Sequence, residues 1–123
     1  MIKEHEFSNC VVWTRFSTPH QETNHQRNIC ETYATAHELS IKGYYGGTLT
    51  SRDAHNDSIK QMLEAIKDDA SIKYLLVGNL DRLSRDCNKI NEIISILKAF
   101  EVTLVICEPA YREFINSYNN DYQ

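Results

Sequence analysis

A chain of 123 residues with 41% hydrophobic and 24% charged side chains has the balance of one globular domain, large enough to bury a core without disulfide or metal staples. It contains no apolar run of about 18 residues that could span a bilayer, and its N-terminal stretch MIKEHEFSN lacks the apolar segment of a signal peptide, so a cytoplasmic protein without membrane contact is expected. The net charge of −4 excludes a uniformly basic nucleic-acid coat and leaves room for a local basic site.

In chain order, CVVWTR (10–15) is a short apolar run bounded by polar residues, the pattern of a buried strand. Ile29, Tyr33 and Ala36, flanked by Cys30 and His37, recur at helical spacing and predict a helix over 22–39. IKGYYGG (41–47) reads as a second strand ended by a glycine pair. Ile59, Met62, Leu63 and Ile66 fall at i, i+3, i+4 and i+7, which predicts an amphipathic helix over 56–68. IKYLLVGNL (72–80) is the third strand, Ile90, Ile93, Ile94 and Leu97 repeat the helical spacing, and VTLVICE (102–108) is the fourth strand. The alternation predicts an α/β fold, a mostly parallel central sheet of about four strands flanked by helices in three layers. The closing NSYNNDYQ is polar, with the composition of a frayed terminus.

Several chemistries fail on spacing. Four scattered cysteines (Cys10, Cys30, Cys87, Cys107) show neither CxxC nor tight Cys/His spacing, so reduced thiols packed as small hydrophobes are expected, with no metal site. Gly43, Gly46, Gly47 and Gly78 cannot form a phosphate-binding GxxxxGK[ST] loop. A cysteine phosphatase needs an arginine six positions after its cysteine, where Cys10 has Phe16 and Cys30 has Ala36. FSTPH is no GxSxG elbow. The five histidines lack HExxH spacing and read as solvated or helix-face residues.

In a parallel sheet the carboxyl ends of the strands share one edge, where ligands bind. The first strand delivers Arg15, Ser17, Thr18 and Gln21 there, the second Gly46, Gly47, Thr48 and Ser51, and the third Asp81, Arg82, Ser84 and Arg85. A hydroxyl among three arginines and an aspartate suits serine attack on a phosphodiester. Such a transition state spreads negative charge over its equatorial oxygens, and forked guanidinium donors stabilise it without a metal.

The motifs also resemble a family. VVWTRFSTPHQETNHQ resembles the opening of a serine recombinase catalytic domain of the resolvase/invertase type, where an aromatic-x-Arg-x-Ser-Thr motif ends the first strand. GNLDRLSRD is similar to that family's Leu-Asp-Arg-Leu-x-Arg motif, and the order and spacing agree over roughly residues 8–109. The resemblance implies that Ser17 is the nucleophile, forming a 5′-phosphoserine link and releasing a 3′ hydroxyl. It implies that Arg15, Arg82 and Arg85 bind the phosphate, with Asp81 holding the arginines or assisting proton transfer. Gln21, Gln26 and Ser51 match polar substrate-binding positions of the family. The implied reaction is site-specific DNA recombination by a homodimer that pairs into a synaptic homotetramer, with no cofactor because the phosphoserine conserves the bond energy.

Three positions depart from the pattern. Trp13 stands where the family has tyrosine. Asn56 stands where it has an arginine, with Arg52 four residues earlier as the candidate replacement. The chain ends at Gln123, so the expectation is a catalytic domain without the family's long C-terminal helix and DNA-binding domain. Two alternatives remain: a catalytically impaired domain of the same fold with an oligomerisation or regulatory role, and a small α/β phosphoester hydrolase.

Overall fold

The computed structural model describes residues 8–16, 21–48 and 51–108. Every residue from Cys10 to Thr14 is buried, on both faces of the first strand, β1 (Asn9–Phe16), which therefore lies inside the sheet. Helix α1 (Gln21–Ala36) leads to β2 (Ser40–Thr48), and α2 (Arg52–Asp68) to β3 (Ile72–Val77). A single turn, α3 (Leu80–Leu83), precedes α4 (Cys87–Ala99) and β4 (Thr103–Ile106). The strand order is β2-β1-β3-β4, with all three neighbouring pairs parallel, as the alternation in the sequence predicts.

The order reverses at β1. The chain steps outward from β1 to β2, then crosses back over β1 to β3 and on to β4. Parallel crossovers are right-handed, so steps in opposite directions lay their helices on opposite faces. Accordingly α1 packs on Cys10, Val12 and Leu76 through Cys30 and Ala34. The other face, formed by Val11, Trp13, Leu75 and Val77, is covered by Ile59, Met62 and Ile66 of α2, Leu83 of α3 and Ile93 and Leu97 of α4.

The apolar stripe of α2 is buried where its spacing predicts, but the helix starts four residues before the expected 56. Ser51 accounts for the difference: its hydroxyl accepts the Ala54 amide at 3.1 Å and caps the helix ahead of the first apolar residue. In α1 the buried face is Gln26, Cys30 and Ala34 at i, i+4 spacing, while Ile29 and Tyr33 are half-buried and Ala36 and His37 exposed. The helix also stops short of 39, because Leu39 donates back to Ala34 O at 2.8 Å around a left-handed Glu38 (φ 56°). The same closure ends α4, with Val102 donating to Leu97 O at 2.8 Å around Glu101 (φ 59°).

Cys10, Cys30 and Cys107 lie together in the core beneath α1, as small hydrophobes. Burial, reinforced by neighbouring Cys107, pushes the Cys10 thiol up to about 11. A hydrogen bond with Cys107 and then burial push Cys30 up as well. Cys87 is exposed at the start of α4. Since the thiolate is the nucleophile, iodoacetamide at pH 8 is expected to label Cys87 in the folded protein and the other three only after denaturation. Labelling of Cys10 or Cys30 at a rate comparable with Cys87, read by mass spectrometry, would contradict this packing.

Candidate active site

In a doubly wound sheet the crevice for a ligand opens where the strand order reverses, outside the carboxyl ends of the two strands that diverge. Here these are β1 and β3. Arg15 stands near the end of β1, and the chain after β3 folds through Gly78 and Asn79 into α3, which carries Asp81 and Arg82. The expected third strand therefore ends at Val77, three residues early: Leu80 belongs to a helical turn and not to the sheet.

The two segments are joined directly. The Trp13 indole donates to Arg82 O at 2.7 Å, and Arg82 Nη1 donates to Arg15 O at 3.4 Å. Trp13 is fully buried, and its indole N–H satisfies a carbonyl at the end of α3 that no further turn of helix would satisfy. Its place in the sequence marks packing; its anchoring of the arginine turn is visible only in three dimensions.

Gln26 is buried, and its amide brackets the Arg15 peptide: Oε1 accepts from Arg15 N at 3.4 Å and Nε2 donates to Arg15 O at 3.3 Å. β1 is thus gripped from α1 at the residue that bears the first guanidinium. Among the described residues no acceptor meets the buried Nε of Arg15, and no donor meets the buried Oδ1 of Asn79. A buried guanidinium N–H without a partner is costly, and an anion at this edge would relieve it.

Of the remaining predicted site residues, Asp81 and Arg85 are exposed on and just after α3. Asp81 sits in the first turn of α3, where a carboxylate is favoured by the helix dipole. Ser51 is exposed, with its oxygen occupied as the cap of α2, and Arg52 is the exposed first residue of that helix. Ser17 and Thr18 lie outside the described residues, as does the side chain of Gln21, whose backbone opens α1. Ser17 follows Phe16, the last residue of β1, in the sequence. Ser84 is buried and serves the turn, its Oγ accepting the Asp86 amide at 3.0 Å, and Asp86 caps α4 through Asn88 N.

His55 reads from the sequence, with the other four histidines, only as a solvated or helix-face residue. It lies on α2, half-buried, with its ring edge-on to Trp13 at 5.5 Å between centroids and 65° between planes, and its Nε2 is 2.9 Å from Leu83 O. Burial lowers its pKa below 6.5, and the charges of Arg15 and Lys89 lower it further against the opposing pull of the Leu83 carbonyl. The apolar stripe of α2 begins only at Ile59, so its spacing gives no sign that His55 is packed.

No helix among the described residues is long and apolar enough to cross a membrane, and no cluster of three or more His, Cys, Asp or Glu side chains among them is arranged to hold a metal ion. The family model for the resolvase N-terminal domain matches residues 10–120. Among solved structures, the chain is similar to a resolvase family site-specific recombinase from Streptococcus pneumoniae, with 22% identity and a TM-score of 0.67 over 83% of this chain and 73% of that one. It is also similar to the N-terminal catalytic domain of TP901-1 integrase, with 16% identity and a TM-score of 0.69 over 94% and 96% of the two chains. A third similarity is to the C-terminal catalytic domain of ISC1926 TnpA, an IS607-like serine recombinase, with 18% identity and a TM-score of 0.65 over 80% and 67%. At these identities the solved structures speak for the fold. Among curated protein sequences nothing matches the chain.

Proposed function

Because the chain belongs to the resolvase N-terminal domain family, we propose that it is the catalytic domain of a site-specific serine recombinase, which cuts and rejoins DNA through a phosphoserine at Ser17. The observation that carries the reading is the junction of Arg15 with the Asp81–Arg82 turn at the switch point of the sheet, one residue short of Phe16 and two short of Ser17 in sequence.

The Ser17 oxygen attacks the scissile phosphorus, a bond to the 5′ phosphate forms, and the 3′ oxygen leaves as a hydroxyl after taking up a proton. Rejoining runs the same steps backwards with a new 3′ hydroxyl, so no external energy source enters. Arg15, Arg82 and Arg85 stabilise the charge on the non-bridging oxygens, which is where donors act most strongly in phosphoryl transfer. Gln26 contributes by fixing the Arg15 peptide, and Asp81 by its charge beside the arginines. Gln21, Ser51 and Arg52, at or beside the family's polar motif positions, contribute to binding the DNA backbone. In this reading the chain works as part of a DNA-bound homodimer and a synaptic homotetramer.

Asn56 favours a second reading, a catalytically impaired domain kept for oligomerisation or regulation, because it presents a neutral amide on the exposed side of α2 where the motif calls for a guanidinium. One experiment separates the two. Incubated with a suicide DNA substrate nicked beside the cleavage site, a catalytic domain in its full protein is expected to trap a covalent 5′-phosphoserine adduct that peptide mapping assigns to Ser17. An adduct on any other residue would overturn the mechanism, and no adduct from protein shown to be bound to its site would select the second reading.

A further inference from the structure

Helix α3 is a single turn, too short to be stable by itself. Asn79 at its start makes no side-chain cap, and the turn's ends are closed by Arg82 N to Asn79 O at 3.2 Å and Ser84 N to Leu80 O at 3.0 Å. Its last two carbonyls, Arg82 O and Leu83 O, have no later turn to accept from. Both are met by ring N–H groups from other elements, Trp13 Nε1 of β1 and His55 Nε2 of α2. Those two rings are themselves in edge contact, so adjacent carbonyls are held by adjacent donors.

A carbonyl oxygen only accepts, so Nε2 of His55 carries the proton in this contact. Leu83 is fully buried, and water has no ready access to replace the donor. The turn pinned in this way carries Arg82, and Arg85 follows it two residues after Leu83.

We propose that His55 is a positioning residue: its Nε2–H, given to Leu83 O, sets the orientation of α3 and thereby places Arg82 and Arg85 for the DNA phosphate. The placement for phosphate rests on the recombinase reading above, whereas the pinning of the turn stands on the geometry alone. His55 does not reach the reacting atoms; it acts through the backbone of residues 82–83.

The test compares the wild-type protein with His55→Phe, which keeps a ring against Trp13 and lacks the donor, and His55→Gln, which keeps a donor and lacks the ring. Amide hydrogen exchange at residues 80–84 is expected to quicken at least ~10-fold in His55→Phe, with exchange in β3 unchanged, and to return towards the wild-type rate in His55→Gln. The rate of Ser17 adduct formation at saturating DNA is expected to fall by about the same factor in His55→Phe and to recover in His55→Gln, which loss of global stability alone would not produce. Unchanged exchange at 80–84 in His55→Phe would overturn the proposal, as would faster exchange accompanied by a wild-type adduct rate. If even the wild-type protein forms no adduct, the recombinase reading fails by itself, and faster exchange at 80–84 still supports His55 as the holder of the turn.

Discussion

Ser17→Ala is expected to abolish the covalent DNA adduct, and Arg82→Ala to slow its formation by roughly 10²–10³-fold, the loss found when one donor to developing negative charge is removed. The two changes differ in kind. Alanine at 17 removes the atom that forms the bond, so no residual adduct is expected, while DNA binding should be untouched. Alanine at 82 removes a guanidinium but leaves the main-chain carbonyl that accepts the Trp13 indole, so the α3 turn keeps that anchor. Because the same change removes the bond from Arg82 Nη1 to Arg15 O, urea denaturation of the variant separates a loss of transition-state stabilisation from a loss of fold. Arg82→Lys should recover only part of the rate, because an ammonium restores the charge without the planar fork that matches phosphate oxygens. Single-turnover trapping on a suicide substrate, alongside gel-shift measurement of binding, reads all three. An adduct that survives Ser17→Ala, or a wild-type rate in Arg82→Ala, would remove the basis for the proposed mechanism.

Gly46→Ala is expected to cost the fold about 3 kcal/mol or more, combining left-handed backbone strain with steric overlap. Gly46 has φ +91°, and a Cβ built there would lie 1.9 Å from the Thr14 carbonyl oxygen and 3.3 Å from the Trp13 ring. The obstacle is main chain, so no rotamer change relieves it. Gly46 pairs with Thr14 in the sheet register and turns its own N–H to Ser58 Oγ at 3.0 Å, next to the pair that Gly47 makes with Arg15. Gly47 is the control: it has φ +92°, but its Cβ would meet nothing within 4 Å, so Gly47→Ala should cost only the strain, about 1–2 kcal/mol. Urea denaturation of the two variants measures the difference, and equal losses would show that the contact with Thr14 does not govern this turn.

The parts of the fold that were legible in the sequence are those set by repeating apolar spacing. The stripe Ile59, Met62, Leu63 and Ile66 is buried as its period requires, and the buried run from Cys10 to Trp13 is a strand with both faces covered. The convergence of Arg15 with Arg82 was also legible, because parallel strands put their carboxyl ends on one edge and the motifs sit at those ends. What escaped depends on contacts that carry no period. Four residues are too few for helical spacing to show, and Leu80 continues the apolar run, so α3 reads as more strand until Trp13 and His55 are seen to hold it. His55 belongs to a turn of α2 before the apolar stripe begins, and its partner is a backbone oxygen 28 residues away that has no sequence signature. Gln26 was visible as a polar residue in the right region, yet its amide serves the Arg15 backbone from within the core, a use that its residue type does not announce.

The central place of β1 between β2 and β3 also fixes the order in which the molecule can come into being. Trp13 and its partner carbonyl on Arg82 are 69 residues apart, and Arg15 and the Arg82 side chain 67. At a synthesis rate of about 5–20 residues per second, roughly 3–14 s separate the appearance of the two halves of the site. During that interval β1 can pair with β2 and receive α1, while its other edge, the one reserved for β3, has no partner from its own chain. An apolar strand edge in that state is open to chaperones or to the β3 segment of another copy. The nascent chain is therefore most vulnerable along the same strand that bears Arg15, and the edge where Arg15 meets Arg82 is completed only after β3 has been made.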